Sequence, residues 1–434
     1  MEQAAFDKKY IALRREFHRY PEPAWLEYRT TARIIQHLEE LGLRPRWGRD
    51  IHQAEARMGL PGADTDAAWL ARAVEETGRG DLIQRMAGGF TGVVAEIDGA
   101  LPGPSMGVRV DIDSNDLTES EDLSHRPARE GFASCHPGAM HACGHDGHIA
   151  IGLGLAELLA GSRDRLRGKV TLFFQAAEEG GRGAQSLVAR GLLDHIRWFW
   201  SGHIGINDAP VGTVSASTYG FLSGTKFDVT FLGRASHAGK APEEGHNALA
   251  AASNAVLNLL AIPRSGKGVS RVNVGMMEGG SGRNVIPDYA RICAEARGGN
   301  QEVSDYMLES ALRVCRAAAD MYQCRMEQEI RGRSMTVACD PELAEFAARR
   351  ARELPGIREV VAASDMGAGE NVTFMMDRVQ KRGGKATFLL LGGGITAPHH
   401  SRAFDFDEAV IPLAARLFAG IALGLGETER EDKG

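Results

Sequence analysis

Two textures of helix and strand in one chain predict an α/β fold with a mixed sheet, interrupted by an inserted α+β sandwich domain. Three observations carry this. From about residue 93 to 204, short apolar runs alternate with helical stretches, the pattern of strands joined by crossover helices. Near residue 224 the strands begin to alternate polar and apolar residues, as a sheet with one solvated face does. After about residue 335 the first texture returns. The reading therefore joins residues 1–223 and 335–434 into one discontinuous domain and sets 224–334 apart as a smaller inserted one. No period of 20 to 50 residues repeats, which excludes a solenoid.

Each element follows from its pattern. Residues 1–45 read as helix, with Ile34, Ile35, Leu38 and Leu41 at helical spacing and Gly42 as the stop. Residues 46–90 read as an irregular excursion with one charged helix, Asp66–Thr77. Strands are expected over Val93–Ile97, Met106–Ile112, Val170–Phe174 and Trp198–Ile204, with helices over His148–Leu159 and Ala184–Leu192. The insertion reads as strands Lys226–Leu232, Arg271–Met277, Tyr289–Ala296 and Cys324–Ile330, with helices Asn247–Leu260 and Val303–Met321. The closing part reads as helices Pro341–Arg352 and Asn371–Val379, the strand Thr387–Leu391, and a last helix from Asp407.

Composition narrows the class. The 434 residues carry 50 basic and 57 acidic side chains, a formal charge of −7 with no basic run, so the footprint of a nucleic-acid binder is missing. The most apolar stretch, Val410–Leu425, is broken by Pro412 and Arg416 and is too short to span a membrane. The charged start lacks the apolar core of a signal peptide, and six scattered cysteines do not form a disulfide scaffold. A cytoplasmic enzyme or binding protein is expected.

The chemistry gathers at strand ends. His141-Ala-Cys-Gly-His-Asp-Gly-His148 packs three imidazoles, a thiol and a carboxylate into eight residues, beyond a strand ending Arg109-Val-Asp-Ile-Asp113. Cys143 and His145, two apart on extended backbone, form a ligand pair for a first-row transition metal. Glu178 and Glu179 follow the strand Val170–Phe174. Adjacent carboxylates repel unless a cation or a shared proton intervenes, so one of the pair can bind metal while the other acts as general base. His203 ends the strand Trp198–Ile204, and His400 lies beyond the strand Thr387–Leu391. Scattered structural histidines would not follow sheet topology in this way.

These residues carry a family resemblance over nearly the whole chain. The His141–His148 run, Glu178-Glu179, His203 and His400-Ser-Arg-Ala-Phe resemble the metal-dependent amidohydrolases of the aminoacylase and carboxypeptidase superfamily of metallopeptidases. Arg14-Arg-Glu-Phe-His18 with Pro21-Glu22, Ser236-His-Ala-Gly239 and Gly282-Arg-Asn-Val-Ile-Pro287 extend the likeness. Arg57-Met-Gly-Leu-Pro61, Gly88-Gly-Phe-Thr-Gly92, His125-Arg-Pro127, Gly131-Phe-Ala-Ser-Cys135 and Phe404-Asp-Phe-Asp-Glu408 sharpen it toward the p-aminobenzoyl-glutamate hydrolases of that family. The resemblance implies a metallopeptidase catalytic domain whose metal ligands are Cys143, His145, Glu179, His203 and His400, holding one or two divalent ions, manganese or zinc. It implies Glu178 as general base and then acid, with Asp113 in the outer shell. The inserted part would be the dimerisation domain, in which His237 reaches a partner's active site to stabilise oxyanion charge and Asn284 and Arg297 bind substrate. A homodimer or larger homo-oligomer is implied, or a heteromer with a related subunit.

Two departures bear on substrate. Relatives usually continue the strand acids as Asp-Ala-Leu, where this chain reads Asp113-Ser-Asn-Asp116, and usually have Ser-Glu-Asp where it reads Gly369-Glu-Asn371. Losing a carboxylate at Asn371 removes a charge that helps to hold or orient metal. Asn115, Glu370 and Asn371 are therefore expected to shape the substrate pocket. The leading expectation is hydrolysis of an amide between an aromatic or other acyl group and an amino acid such as glutamate or aspartate. A second is displacement of ammonia from an aromatic amine of the anthranilate type. A noncatalytic partner subunit is a third, disfavoured because a binding module has no need of Glu178.

Overall fold

A computed structural model describes residues 2–206 and 208–428; Met1 and residues 429–434, the outer ends of the two predicted catalytic segments, lie outside the described residues. By its contacts the chain divides into two units. The first comprises Met1–Tyr219, Val337–Met366 and Asn371–Gly434, the second Gly220–Thr336 with the short segment Gly367–Glu370.

The first unit is built on an eight-stranded mixed sheet. Its order is Arg46–Trp47, Val93–Asp98, Arg167–Gln175, Leu101–Asp111, Trp198–Ile204, Lys385–Leu391, Thr213–Ser215, Glu359–Val361. The four central strands, from Arg167–Gln175 to Lys385–Leu391, run parallel, so their carboxyl ends share one edge. Leu101–Asp111 precedes both of its neighbours in sequence, which makes it the switch point where crossovers diverge and open a crevice.

Local sequence explains most boundaries. The first helical stretch is two helices, Glu2–Arg19 and Tyr28–Glu40, rather than the single one expected. Pro21 and Pro23 interrupt it, and the Glu22 carboxylate accepts the N–H groups of Arg29 and Thr30 at 2.9 and 2.7 Å, capping the second helix from outside. Helix His145–Ala160 packs on the sheet through Gly152, where a Cβ would stand 2.8 Å from Phe174 and 2.9 Å from Val110. The strands Thr213–Ser215 and Glu359–Val361 escape a sequence reading because three residues are too few to display a period.

The second unit is an antiparallel sheet in the order Ser270–Gly279, Tyr289–Gly298, Ser223–Leu232, Arg325–Ser334. Helices Ala248–Leu260 and Gln301–Met321 start at Asn247 and Asn300, whose side chains accept the N–H of Ala250 and Val303. Their buried faces meet Phe227, Val229, Phe231 and Ile292, while alternate residues such as Arg271 and Arg297 stay exposed.

Candidate metal centre

The carboxyl ends of the four parallel strands carry the predicted chemistry. Asp111 and Asp113 follow Leu101–Asp111, Glu178 and Glu179 follow Arg167–Gln175, His203 lies in Trp198–Ile204, and His399 and His400 follow Lys385–Leu391. His145 opens the helix beyond the first of these strands, directly after Gly144 at φ 89°. Among the described residues, Ala177 at φ 55° and His400 at φ 62° are non-glycine residues in the left-handed region, and both lie at this edge.

Ligand-type atoms converge in overlapping groups, each within 4.8 Å: Cys143, Glu179 and His400; His145, Glu178 and Glu179; and Cys143, His203 and His399. Backbone carbonyls set the tautomers. His145 donates from Nδ1 to the Asp113 carbonyl at 2.9 Å, and its buried Nε2 has no hydrogen bond. Burial opposes charging the ring, but Asp111 and Cys143 outweigh it and hold the pKa well above the usual range, so a metal at Nε2 would take the place of a proton. His203 donates from Nδ1 to the Ile204 carbonyl at 2.9 Å and turns Nε2 toward the Cys143 sulfur, 3.4 Å away. Glu179 Oε1 is also buried without a hydrogen bond, 3.2 Å from His400 Nε2. A buried imidazole nitrogen and a buried carboxylate oxygen without hydrogen bonds, beside a thiol, are costly by themselves and fit a divalent transition metal.

His148 has ligand chemistry but no available nitrogen, because Nδ1 donates to Asp111 at 2.5 Å and Nε2 accepts the Ile204 N–H at 3.0 Å. It is a support. His141, in the same motif, is buried with neither nitrogen hydrogen-bonded, and burial pushes its pKa down to about 3, so it packs as a neutral ring.

The electrostatics suit a cation. Burial, then the charge of Glu179, push the Cys143 thiol up, a shift that a bound divalent ion reverses. Burial followed by His148 and His399 holds His203 well below its usual range, in the neutral form that binds metal. For Glu179, burial acts to raise the pKa, but His400 and His145 outweigh it and draw the carboxyl down to about 2.

Asp113 organises this edge. Its carboxylate accepts the N–H groups of Glu178 and Glu179 at 2.9 and 2.8 Å while its carbonyl holds His145, so it positions three site residues. Asn371 and Asn115, expected to shape the pocket, both bond the acid pair: Asn115 reaches Glu179 and Asn371 reaches Glu178. The Asn371 amide donates to the carbonyls of Ala177 and Glu178 at 3.3 and 3.4 Å and accepts from Gln175 at 2.9 Å, and its own N–H reaches Glu178 Oε1 at 3.2 Å. An aspartate could not make the two donor contacts. Asn115 accepts the Ala142 N–H at 3.1 Å and so holds the loop that carries Cys143. Glu370, in the second unit, is buried at 2% exposure.

Also in the second unit, His237 and Asn284 come together: Val285 pairs with His237, and the Asn284 carbonyl accepts the Ala238 N–H. Arg297 lies toward the far end of the strand Tyr289–Gly298, paired with Glu295 at 2.9 Å.

Sequence reasoning missed three supports. Arg109, fully buried, pairs with Asp111 at 2.8 Å; its signal was a cation inside an apolar strand. Glu27 accepts the Ala177 N–H at 2.8 Å, and burial followed by the neighbouring Asp113 pushes its carboxyl up to about 8. No local pattern marks it. The third is a buried charge chain behind the helix that begins at His145. His18 bridges Asp146 and Glu119, both at 2.8 Å, Glu119 also meets His125 at 2.7 Å, and Arg14 joins Asp146 to Asp405. His18, Glu119 and His125 have ligand chemistry too, but they already touch at hydrogen-bond length, whereas donors around one tetrahedral zinc stand about 3.3 Å apart.

Fold and site define a class, a metal-dependent hydrolase acting on carbon–nitrogen bonds. The chain belongs to the peptidase family M20/M25/M40, which matches residues 107–424. It is 44% identical over 411 residues to indole-3-acetyl-aspartic acid hydrolase of Enterobacter agglomerans, with 94% of each chain covered. It is 43% identical, with the same coverage, to one of the subunits of p-aminobenzoyl-glutamate hydrolase from Escherichia coli (strain K12). Its fold is similar to the crystal structure of the aminobenzoyl-glutamate utilization protein from Klebsiella pneumoniae, with TM-score 0.82 and 37% identity over 98% of this chain and 97% of that one.

The charge chain yields a pH prediction. Burial and Arg14 oppose protonation of His18, but its bonds to Asp146 and Glu119 prevail and raise its pKa to about 9 from 6.5. His141 and Phe132 are its other ring neighbours. A raised folded-state pKa stabilises fully below about 6.5 and is lost by about 9, with a ceiling on the order of 3 kcal/mol. Urea unfolding at pH 6 and pH 9.5 should show a gap between wild type and His18→Gln that narrows at the higher pH; an equal gap at both would contradict the assignment.

Proposed function

We propose that the chain hydrolyses the amide joining an aromatic acyl group to aspartate or glutamate, using Cys143, His145, Glu179, His203 and His400 to hold two divalent ions, manganese or zinc. The observation that carries this is the pair of donor groups sharing Glu179, with His145 Nε2 and Glu179 Oε1 buried without hydrogen bonds. The names of the two relatives supply the substrate class, since both describe acyl conjugates of an acidic amino acid.

Bound divalent ions would polarise the scissile carbonyl and make water more acidic. The protein's own groups do the rest. Glu179 belongs to both donor groups and Glu178 to one, which supports Glu179 as ligand and Glu178 as general base. Glu178 takes the proton of the attacking water and returns it to the leaving nitrogen, and Asp113 with the Asn371 N–H fixes its orientation. In the second unit, His237 Nδ1 accepts the N–H groups of Gly239 and Lys240, both at 3.1 Å, so Nε2 carries the proton. That is the donor form an oxyanion requires. Asn284 beside it supports a part in binding substrate, and so does the exposed guanidinium of Arg297.

We also infer a homodimer formed through the second unit. The edge strand Ser270–Gly279 exposes Met276 at 62% and Met277 at 47%, beside a helix exposing Leu257 at 71%. An edge with unpaired backbone and apolar side chains invites a second copy. All six cysteines are free, which supports a reducing cytoplasm, and none of the described helices is long and apolar enough to cross a membrane.

Mass spectrometry of the metal-loaded protein with p-aminobenzoyl-glutamate and indole-3-acetyl-aspartate tests the reaction. Release of the free amino acid and the aromatic acid is expected, with turnover lost in Glu178→Gln while metal content is kept. Ammonia as the product, or persistent turnover in the variant, would refute the assignment. Met277→Lys should convert the dimer to monomer in analytical ultracentrifugation; an unchanged mass, or a monomeric wild type, would reject this interface.

A further inference from the structure

The turn after Glu178-Glu179 is Gly180-Gly-Arg-Gly183, and its conformation serves the arginine. Gly180 and Gly181 have φ of 83° and 81°, which glycine adopts without strain. The chain doubles back so that the Arg182 N–H donates to the Ala177 carbonyl at 3.3 Å. The guanidinium then lies over Gly180, where a Cβ would stand 2.8 Å from Arg182 Nε and 3.3 Å from Nη2. The side chain is half-buried, on the turn that directly follows the acid pair in sequence, four residues along the chain from Glu178.

Its charge is unbalanced. The one side-chain hydrogen bond it makes is a long one, Nη1 to the Gly59 carbonyl at 3.4 Å, and among the described residues no carboxylate lies within ion-pair distance of it. Arg14, Arg109 and Arg126 each pair with a carboxylate. A guanidinium offers five donors in a planar fork suited to a carboxylate.

We propose that Arg182 is a specificity-determining residue that binds the side-chain carboxylate of the amino-acid part of the substrate, selecting acyl-aspartate and acyl-glutamate over neutral conjugates. This rests on the reading of the site as an amidohydrolase of acyl-amino acids. The segment Arg57-Met-Gly-Leu-Pro61 contributes through the Gly59 carbonyl, which holds the guanidinium over the turn.

The test compares p-aminobenzoyl-glutamate with p-aminobenzoyl-glutamine, which keeps the α-carboxylate and the shape but loses the side-chain charge. A charge-assisted pair of this kind contributes roughly 10- to 100-fold in affinity. In metal-loaded Arg182→Met, KM for the glutamate conjugate should rise by roughly that factor with kcat little changed, while the glutamine conjugate is unaffected; Arg182→Lys should recover part of the loss. An equal loss on both conjugates would mean that Arg182 is structural or meets the α-carboxylate, and an intact preference for glutamate would mean that it meets neither; each overturns the proposal. Isothermal titration calorimetry with N-benzoyl-glutamate and N-benzoyl-glutamine reads the same preference without turnover. If the wild type cleaves neither conjugate, the amidohydrolase reading fails, and the calorimetric preference in wild type and Arg182→Met decides the role of Arg182.

Discussion

Asp113 is the constraint on which the site depends. Its two carboxylate oxygens take the N–H groups of Glu178 and Glu179, and its carbonyl takes the Nδ1 proton of His145. One residue just beyond the end of one strand thereby fixes the turn after its neighbour and the first residue of the helix His145–Ala160. Charge-assisted bonds of this kind are among the stronger ones available to a folded chain. The acid pair would otherwise repel itself apart, and His145 would be free to choose the wrong tautomer.

A second anchor works alongside it. The peptide of Ile204 donates its N–H to His148 and offers its carbonyl to both His203 and His399. Three imidazoles are thus oriented by one residue of the neighbouring strand. Beneath them, Arg109 neutralises Asp111, and Asn371 ties Arg109 and Gln175 to the Ala177–Glu178 turn. His145 Nε2 and Glu179 Oε1 are buried without a hydrogen bond while the Nδ1 of the one and the backbone N–H of the other are held by Asp113. Such support from outside the ligand set is what keeps a metal centre in a defined geometry.

Much of this was legible in the sequence, because donor residues clustered at the ends of apolar runs and sheet topology brings such ends together. The His141–His148 run, the Glu178-Glu179 pair, His203 and His400 stand out on that ground, while the choice of Cys143, His145, Glu179, His203 and His400 as ligands is what the family likeness implies. What the sequence withheld was direction. Asn371 reads as a polar residue near the pocket, yet its amide faces the Ala177 and Glu178 carbonyls. His148 looks like a ligand equal to His145 until its two nitrogens are found engaged. Glu27 and Arg182 act through long-range contacts that no local period encodes. The first helix also broke where Pro21 and Pro23 stand, a signal present in the sequence but outweighed by the helical spacing on either side.

The function of this edge depends on whether the buried thiol, imidazole and carboxylate groups hold a metal together. The most direct measurement is the absorption spectrum of the cobalt(II)-substituted protein beside that of Cys143→Ser. A sulfur-to-metal charge-transfer band in the wild type that vanishes in the variant is the predicted result, since only a bound thiolate produces it. A wild-type spectrum without that band, or one unchanged in Cys143→Ser, would contradict the metal centre described.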